Sequence, residues 1–225
     1  MLTDSTARVG GTLTLSKGHA FWLVAYTLFI LLVGATIPTP LYPIYQDLFD
    51  FSAGMLTVIF AVYMVTALLF LVFVGPLSDR VGRRRVLLPA LGLAAMGSAV
   101  FVFAQDVGWL LVARVLQGLG VGATLGTAVA TLTDLEPAGD HRRAARVGAT
   151  AAVGGLAIGP LVSGTFAEYV PWPTVLVFVV HLSLLAPALF GVWAIPETVR
   201  KAATGRVSSH PHYLSVHEGY GARSL

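Results

Sequence analysis

The sequence contains no cysteine among its 225 residues. That excludes a disulfide framework, thiolate metal sites and a cysteine nucleophile. In a membrane-embedded chain it says nothing of redox compartment. Charge is also scarce. Asp, Glu, Lys and Arg make up 11% of the chain, against roughly a quarter in a soluble domain. Apolar residues reach 56%, and the mean hydropathy is +0.80. A soluble fold of this size has no way to bury so much apolar surface and still cover itself with polar groups. Lipid resolves that conflict and is the first partner the composition implies. No phosphate-binding loop, metal-ligand spacing or cluster of His, Asp, Glu, Ser or Lys with catalytic geometry is visible. The sequence therefore gives no cofactor and argues against an enzyme. A net charge of +3 and a pI near 9.4 would suggest nucleic acid only if the basic residues shared a face or an arm. They sit at the ends of apolar runs instead, so nucleic acid is not expected as a partner.

What is present is a series of long uncharged runs. Lys17–Asp47, Asp50–Asp79, Arg85–Asp106, Arg146–Glu168 and Glu168–Glu197 enclose between 20 and 29 uncharged residues each. Residues 107–133 carry one charge, Arg114. About 20 mostly apolar residues cross the hydrocarbon core, so six spans are predicted. The first is too long for the apolar part of a secretory signal and is read as a retained helix. The expected fold class is an all-α membrane protein, a six-transmembrane-helix bundle over residues 20–198. Residues 1–19 and 199–225 are read as cytoplasmic tails, the second disordered. His210, His212 and His217 in that tail are metal-ligand types, but disorder is the favoured reading. A three-plus-three organisation is plausible, although no strong internal repeat is visible.

The charges also orient the chain. With the N-terminus in the cytoplasm, 13 of the 14 basic residues fall inside, and the outer loops carry only Asp47, Asp50, Asp106 and Glu168. The positive-inside bias predicts both termini in the cytoplasm of a multi-pass inner (plasma) membrane protein. Trp22, Trp109, Trp172, Trp193 and Tyr42 or Tyr169 lie near span ends, where interfacial anchors belong.

Three segments carry candidate chemistry. The run from Gly75 to Arg85 joins spans two and three, with Pro76 and Gly82 expected to punctuate a tight turn. Asp79 can accept from backbone amides or a neighbouring arginine. The bland alternative is a generic basic loop held at the anionic inner surface. In span four, Arg114 is followed by Gln117 and by Gly118, Gly122 and Gly126, which bare one helix face for close packing. A central arginine costs about 2.5–3.5 kcal/mol on insertion scales and is a functional hypothesis by default; the alternatives are snorkelling to the outer end or pairing with a carbonyl. In span five, Gly155, Gly159, Pro160 and Gly164 suggest a bent, thinned helix. Prolines 38, 40 and 43 close the first span in loosened form. No Asp or Glu lies within a span, so Arg114 and the mid-helix His181 are the available coupling groups. A lone membrane histidine is more often a hydrogen-bonded helix-packing residue, and that is the favoured reading of His181.

The order Gly75-x-x-x-Asp79-Arg80-x-Gly82-Arg83-Arg84 between spans two and three resembles the signature loop of the major facilitator superfamily. Arg114-x-x-Gln117-Gly118 resembles a second motif of that family. Gly155-x-x-x-Gly159-Pro160-x-x-x-Gly164 resembles the helix-five motif of its drug/proton antiporters, with Ser163 where a further glycine is usual. Pro196-Glu197-Thr198 looks like the common close of helix six. The resemblance covers residues 20–198 and implies the N-terminal half of that fold. It implies gating by the 75–85 loop, coupling through span four, and export of a small amphipathic substrate between two six-helix halves. Tyr26, Phe60 and Tyr63 are suggested as cavity residues by side-chain type. Three readings follow for a chain of this length: a truncated product, which is favoured, a partner of a separately encoded second half, or a homodimer. A non-transporting membrane scaffold that keeps the fold is the reading from another class.

Overall fold

The computed structural model describes residues 16–194, leaving aside the side chains of residues 75–77, 79, 80 and 194. The elements run α1 (Lys17–Thr36), a short 3-10 turn (Thr39–Leu41), α2 (Tyr42–Phe49), α3 (Ala53–Val81), α4 (Arg83–Val102), α5 (Val107–Leu135), α6 (His141–Tyr169) and α7 (Pro173–Ala194). Among the described residues six helical spans are long and apolar enough to cross a membrane, α1 and α2 together forming the first. Helices are the expected answer in lipid, because each backbone polar group must find its partner within the segment. The starts are capped by short polar side chains. Ser16 accepts from the His19 amide, Ser52 from Met55, Asp106 from Gly108 and Trp109, and Asp140 from Arg142 and Arg143. Such caps satisfy amides that have no intrahelical acceptor.

α1 and α5 are the most buried spans, and α3 and α6 the least. The packing is reciprocal: α3 lies along α5 and α6 lies along α1, while α4 and α7 pack on α5 and α1 respectively. Taken as α1–α4 and α5–α7, each three-span unit thus lends its middle helix to the first helix of the other. Lipid gives no hydrophobic push between helices, so close backbone approach has to supply the contact. Glycines supply it at each seam. A Cβ on Gly118 would meet Thr66 and the Tyr63 carbonyl of α3, and one on Gly122 would meet Ala67 and Phe70. On Gly155 and Gly159 it would strike the backbone of α1 at Phe29 and Val33. Gly120 admits Ala90 and Ala94 of α4, and Gly191 admits Leu23 of α1.

Two local expectations need correction. The prolines near residue 40 interrupt the first span instead of closing it. The chain resumes helix at Tyr42, because Pro40 and Pro43 sit in first-turn positions that need no amide hydrogen. The turn between spans two and three is also far shorter than the Gly75–Arg85 run. α3 continues to Val81, so Gly75, Pro76, Asp79 and Arg80 are on helical backbone. Gly82 alone reverses the chain at φ 115°, a conformation open to glycine, and α4 starts at the next residue. The Pro196-Glu197-Thr198 segment and the tail histidines lie outside the described residues.

Candidate functional site

The site begins with a proline. Pro38 has no amide hydrogen to offer the Gly34 carbonyl four residues back. The last backbone bond of α1 runs from Ile37 to Val33, and among the described residues no backbone amide reaches the Ala35 carbonyl. Two carbonyls are thus left open at the broken end of α1, in the packed interior. Orphaned acceptors there are costly. Side chains from α5 take both. Arg114 Nη1 donates to the Ala35 carbonyl at 2.8 Å, and Gln117 Nε2 donates to the Gly34 carbonyl at 3.3 Å. Arg114 Nη1 also donates to Gln117 Oε1 at 3.2 Å, which fixes the amide with its nitrogen towards α1. Arg114 Nε donates to the Tyr42 hydroxyl at 2.6 Å. Gly97 on α4 leaves room for Gln117, whose Cγ a side chain there would meet at 2.9 Å.

Arg114 is 1% exposed, so it does not snorkel to an interface. Aromatic rings surround its guanidinium. Tyr63, Tyr42, Phe60 and Phe101 have centroids 5.0, 5.4, 5.8 and 5.9 Å from Cζ. Ring faces carry partial negative charge and attract a desolvated cation. Among the described residues no carboxylate forms an ion pair with it. The charge is therefore met by two oxygens of broken α1 and α2, a glutamine and four rings. Of the suggested cavity aromatics, Phe60 and Tyr63 belong to this cage. Tyr26 does not; its hydroxyl donates to the Leu184 carbonyl of α7 at 2.6 Å. Tyr42 is buried in the cage and is no interfacial anchor. Trp22, Trp109, Trp172, Tyr169 and Trp193 are exposed.

His181 forms a second buried node, between α7, α4 and α1. Its Nδ1 lies 2.9 Å from Ser98 Oγ and its Nε2 lies 3.0 Å from the Ile30 carbonyl. The carbonyl accepts only, so Nε2 carries a hydrogen, an assignment that follows from the partners. The ring occupies the space that a side chain on Gly34 would fill. Gly34 therefore serves both nodes, its carbonyl bonded to Gln117 and its bare face against His181.

The helix-five residues fall on the α1 seam. Gly155, Gly159 and Ser163 are buried there, and Ser163 Oγ donates to the Gly159 carbonyl at 3.0 Å. Pro160 is part-buried within a continuous α6, and Gly164 approaches Pro40.

At the basic end of the bundle, Arg83 Nε pairs with Asp134 Oδ2 of α5 at 3.1 Å, and its Nη1 donates to Ser78 Oγ of α3 at 3.2 Å. Arg84 stands over Trp193 of α7 at 5.7 Å. Glu136 accepts from the Ala138 and Asp140 amides, both at 2.7 Å, and from Arg143 Nη1 at 2.9 Å. Arg143 in turn lies over Phe21 of α1 at 5.6 Å. Every span takes part in this ring of contacts. The Asp140 amide, helped by the Ala138 amide and Arg143, holds the Glu136 carboxyl below the usual carboxylate range; burial opposes this less strongly. The side chains of Asp79 and Arg80 lie outside the described set.

The structure thus gathers Arg114 and Gln117 into one site, places His181 beside it through Gly34, and puts Arg83 and Arg84 at one end. Sequence reasoning missed Tyr42, Phe101, Ser98, Asp134 and Glu136. Pro38 was the usable signal for the first site, since it marks which carbonyls need a donor. Glu136 and Arg143 face each other across a loop and left no periodic trace.

The comparisons agree with this architecture. The family model described as Major Facilitator Superfamily matches residues 24–215. That range extends past residue 198, where the sequence reading ended the bundle. The chain is 29% identical to the bacillibactin exporter of Bacillus subtilis over 62% of its own length and 37% of that protein. It is 34% identical to multidrug resistance protein 3 of the same organism, covering 58% of this chain and 25% of that one. It is 25% identical to the riboflavin transporter RibZ of Clostridioides difficile, over 67% and 33%. The chain spans about a third of the length of these relatives. With six apolar helical spans among the described residues and a family match over most of its length, the chain belongs to the major facilitator superfamily.

Proposed function

We propose that the chain is a secondary active transporter, or the N-terminal half of one, that exports a small amphipathic molecule by alternating access. In the complete carrier its bundle would rock against a second six-helix unit around a midplane site. That unit is a separate half or a second copy of this chain. The orientation proposed has both termini in the cytoplasm of the plasma membrane, which puts the Arg83 and Arg143 contacts on the inner side.

One observation carries the reading: a fully buried arginine bonded to the broken end of α1. Charge inside a membrane marks a functional element. Here it ties α5 to the point where α1 loses its regular bonds. A helix broken at that point can move against α5 by exchanging side-chain donors, without exposing backbone to lipid. Exporter and multidrug relatives support the direction of transport. In this scheme Gly75, Asp79, Arg80, Gly82, Arg83 and Arg84 gate, Arg114, Gln117 and Gly118 couple, and Gly155, Gly159, Pro160 and Gly164 let α6 slide on α1. His181 is proposed as the titratable group. Both of its partners can accept a hydrogen bond, so the node accommodates the ring with one proton or two.

The test is stoichiometry together with flux. The chain is purified in nanodiscs and weighed by native mass spectrometry. It is then reconstituted for pH-gradient-driven flux of a cationic amphipathic dye. A dimer, or a defined pair, with flux that Asp79→Asn abolishes is the expected result. A monomer without flux sinks the proposal for the substrates tested.

A further inference from the structure

One cleft has no part in the proposed gating or coupling. It lies between α1 and α6 at the basic end, with a volume of about 740 Å³, within the range that holds a small ligand. Trp22, Tyr26 and Phe29 of α1 form one wall, and Val147, Ala151 and Gly154 of α6 form the other. Arg143 and Arg146 stand on the α6 wall towards its N-terminal, basic end. α6 touches α1 closely at Gly155 and Gly159, and the cleft lies between the two helices on the N-terminal side of that α6 seam. The Tyr26 hydroxyl, bonded to Leu184, sets the cleft on the flank towards α7.

The two arginines differ. Arg143 is engaged by Glu136 and Phe21. Arg146 is exposed, and among the described residues no carboxylate pairs with it; its Nε makes a 3.4 Å contact with the Arg142 carbonyl. The cleft therefore has an uncompensated cation at one end and an aromatic, apolar body beyond it. Trp22, 58% exposed at the rim, marks headgroup depth, where amphipathic rings settle. We infer that this cleft is a binding site for an anionic phospholipid of the adjoining leaflet, its phosphate on Arg146 and an acyl chain against Phe29 and Gly154. A zwitterionic lipid offers the same chain but a neutral headgroup. The lipid would fill the cleft between α1 and α6 at this end. The inference is independent of any transported substrate.

The experiment uses the whole chain with Trp109, Trp172 and Trp193 changed to Phe, which leaves Trp22 as the reporter. It is reconstituted in phosphatidylcholine vesicles with a small, matched share of brominated phosphatidylglycerol or brominated phosphatidylcholine. One cationic side chain near an anionic surface gives a preference of about fivefold. Half-quenching of Trp22 is expected at about a fifth as much phosphatidylglycerol as phosphatidylcholine. Arg146→Gln should remove that preference. Arg142→Gln, which removes the same charge outside the cleft, should leave it. Native mass spectrometry of the unaltered chain gives a second reading, with one phosphatidylglycerol retained after other lipids are stripped. Equal quenching by both lipids overturns the proposal. So do equal losses in the two variants, which would mean general surface charge. Recovery of fluorescence on adding inorganic phosphate would overturn it too, since the cleft would then take its anion from solution.

Discussion

Arginine does two different jobs in this bundle. Arg83 and Arg143, at the basic end, face carboxylates: Asp134 at 3.1 Å and Glu136 at 2.9 Å. Arg114, in the packed middle, faces backbone oxygens, a tyrosine hydroxyl and ring faces. At the end each pair keeps one member, Asp134 or Arg143, more than two fifths exposed, so water and headgroups screen part of the charge and a carboxylate partner adds less cost. In the interior a carboxylate would bring a second desolvation penalty. Carbonyls freed by Pro38 are already there and need donors, so one arginine satisfies what the proline left open. The lesson is that an unpaired buried cation is tolerable where the chain has its own polar groups to satisfy.

Breaking that contrast should have its largest effect at Arg114. Arg114→Met leaves the Ala35 carbonyl and the Tyr42 hydroxyl without their donor. Leaving a buried polar group without its partner costs about 1–3 kcal/mol, and two are orphaned at once, so a steep fall in detergent melting temperature is expected. Arg114→Lys should rescue little, because a point charge cannot reach Tyr42, Ala35 and Gln117 at once as a planar fork does. Full stability in Arg114→Lys would mean that charge alone matters there.

Packing at the seams comes next. Gly159→Leu drives a side chain into the Val33 carbonyl, which a Cβ alone would approach to 2.6 Å. Overpacking costs about 1–3 kcal/mol, and the monodisperse fraction on size exclusion should drop. Gly164→Ala, with Pro40 at 4.0 Å from the added carbon, should be silent in the same assay.

The basic end should lose stability in acid through Glu136. The folded state holds Glu136 below its ordinary pKa. Its contribution is therefore complete above the unfolded value near 4.5 and is lost as pH falls through the lower folded value. Melting temperature should decline over that acid range in the parent and decline less in Glu136→Gln. An unchanged slope in the variant would assign the acid loss elsewhere. The smallest effect is expected for Asp134→Asn. Its side chain is 42% exposed, and exposed pairs contribute about 0–1 kcal/mol. If flux falls while melting hardly moves, the pair serves gating more than stability.

Much of the fold was legible because lipid imposes long, charge-poor helices with charges at their ends. The spans, the short turns and the seam glycines followed from that rule. Arg114 and Gln117 were legible as a motif, and Arg114 as an expensive charge. Their partners were not, since Ala35 and Gly34 contribute backbone atoms and leave no side-chain mark. The 75–85 run was misjudged for a related reason. Pro and Gly suggest turns, but α3 absorbs Pro76 in its helix, and Gly82 needs no help to reverse the chain. Tyr42 stands near a predicted span end and was read as an anchor; the interruption at Pro38 turns it inward instead.

The proline at position 38 also shapes how this chain can change over time. The acceptors that α1 offers Arg114 and Gln117 are main-chain oxygens, which no substitution at residues 34 or 35 can delete. Drift at those positions is limited by space alone, as Gly34 is by the His181 ring. The vulnerable position is Pro38 itself. Any other residue there restores an amide hydrogen that competes with Gln117 for the Gly34 carbonyl. Inheritance of the polar site thus rests on a residue that contributes no polar atom to it.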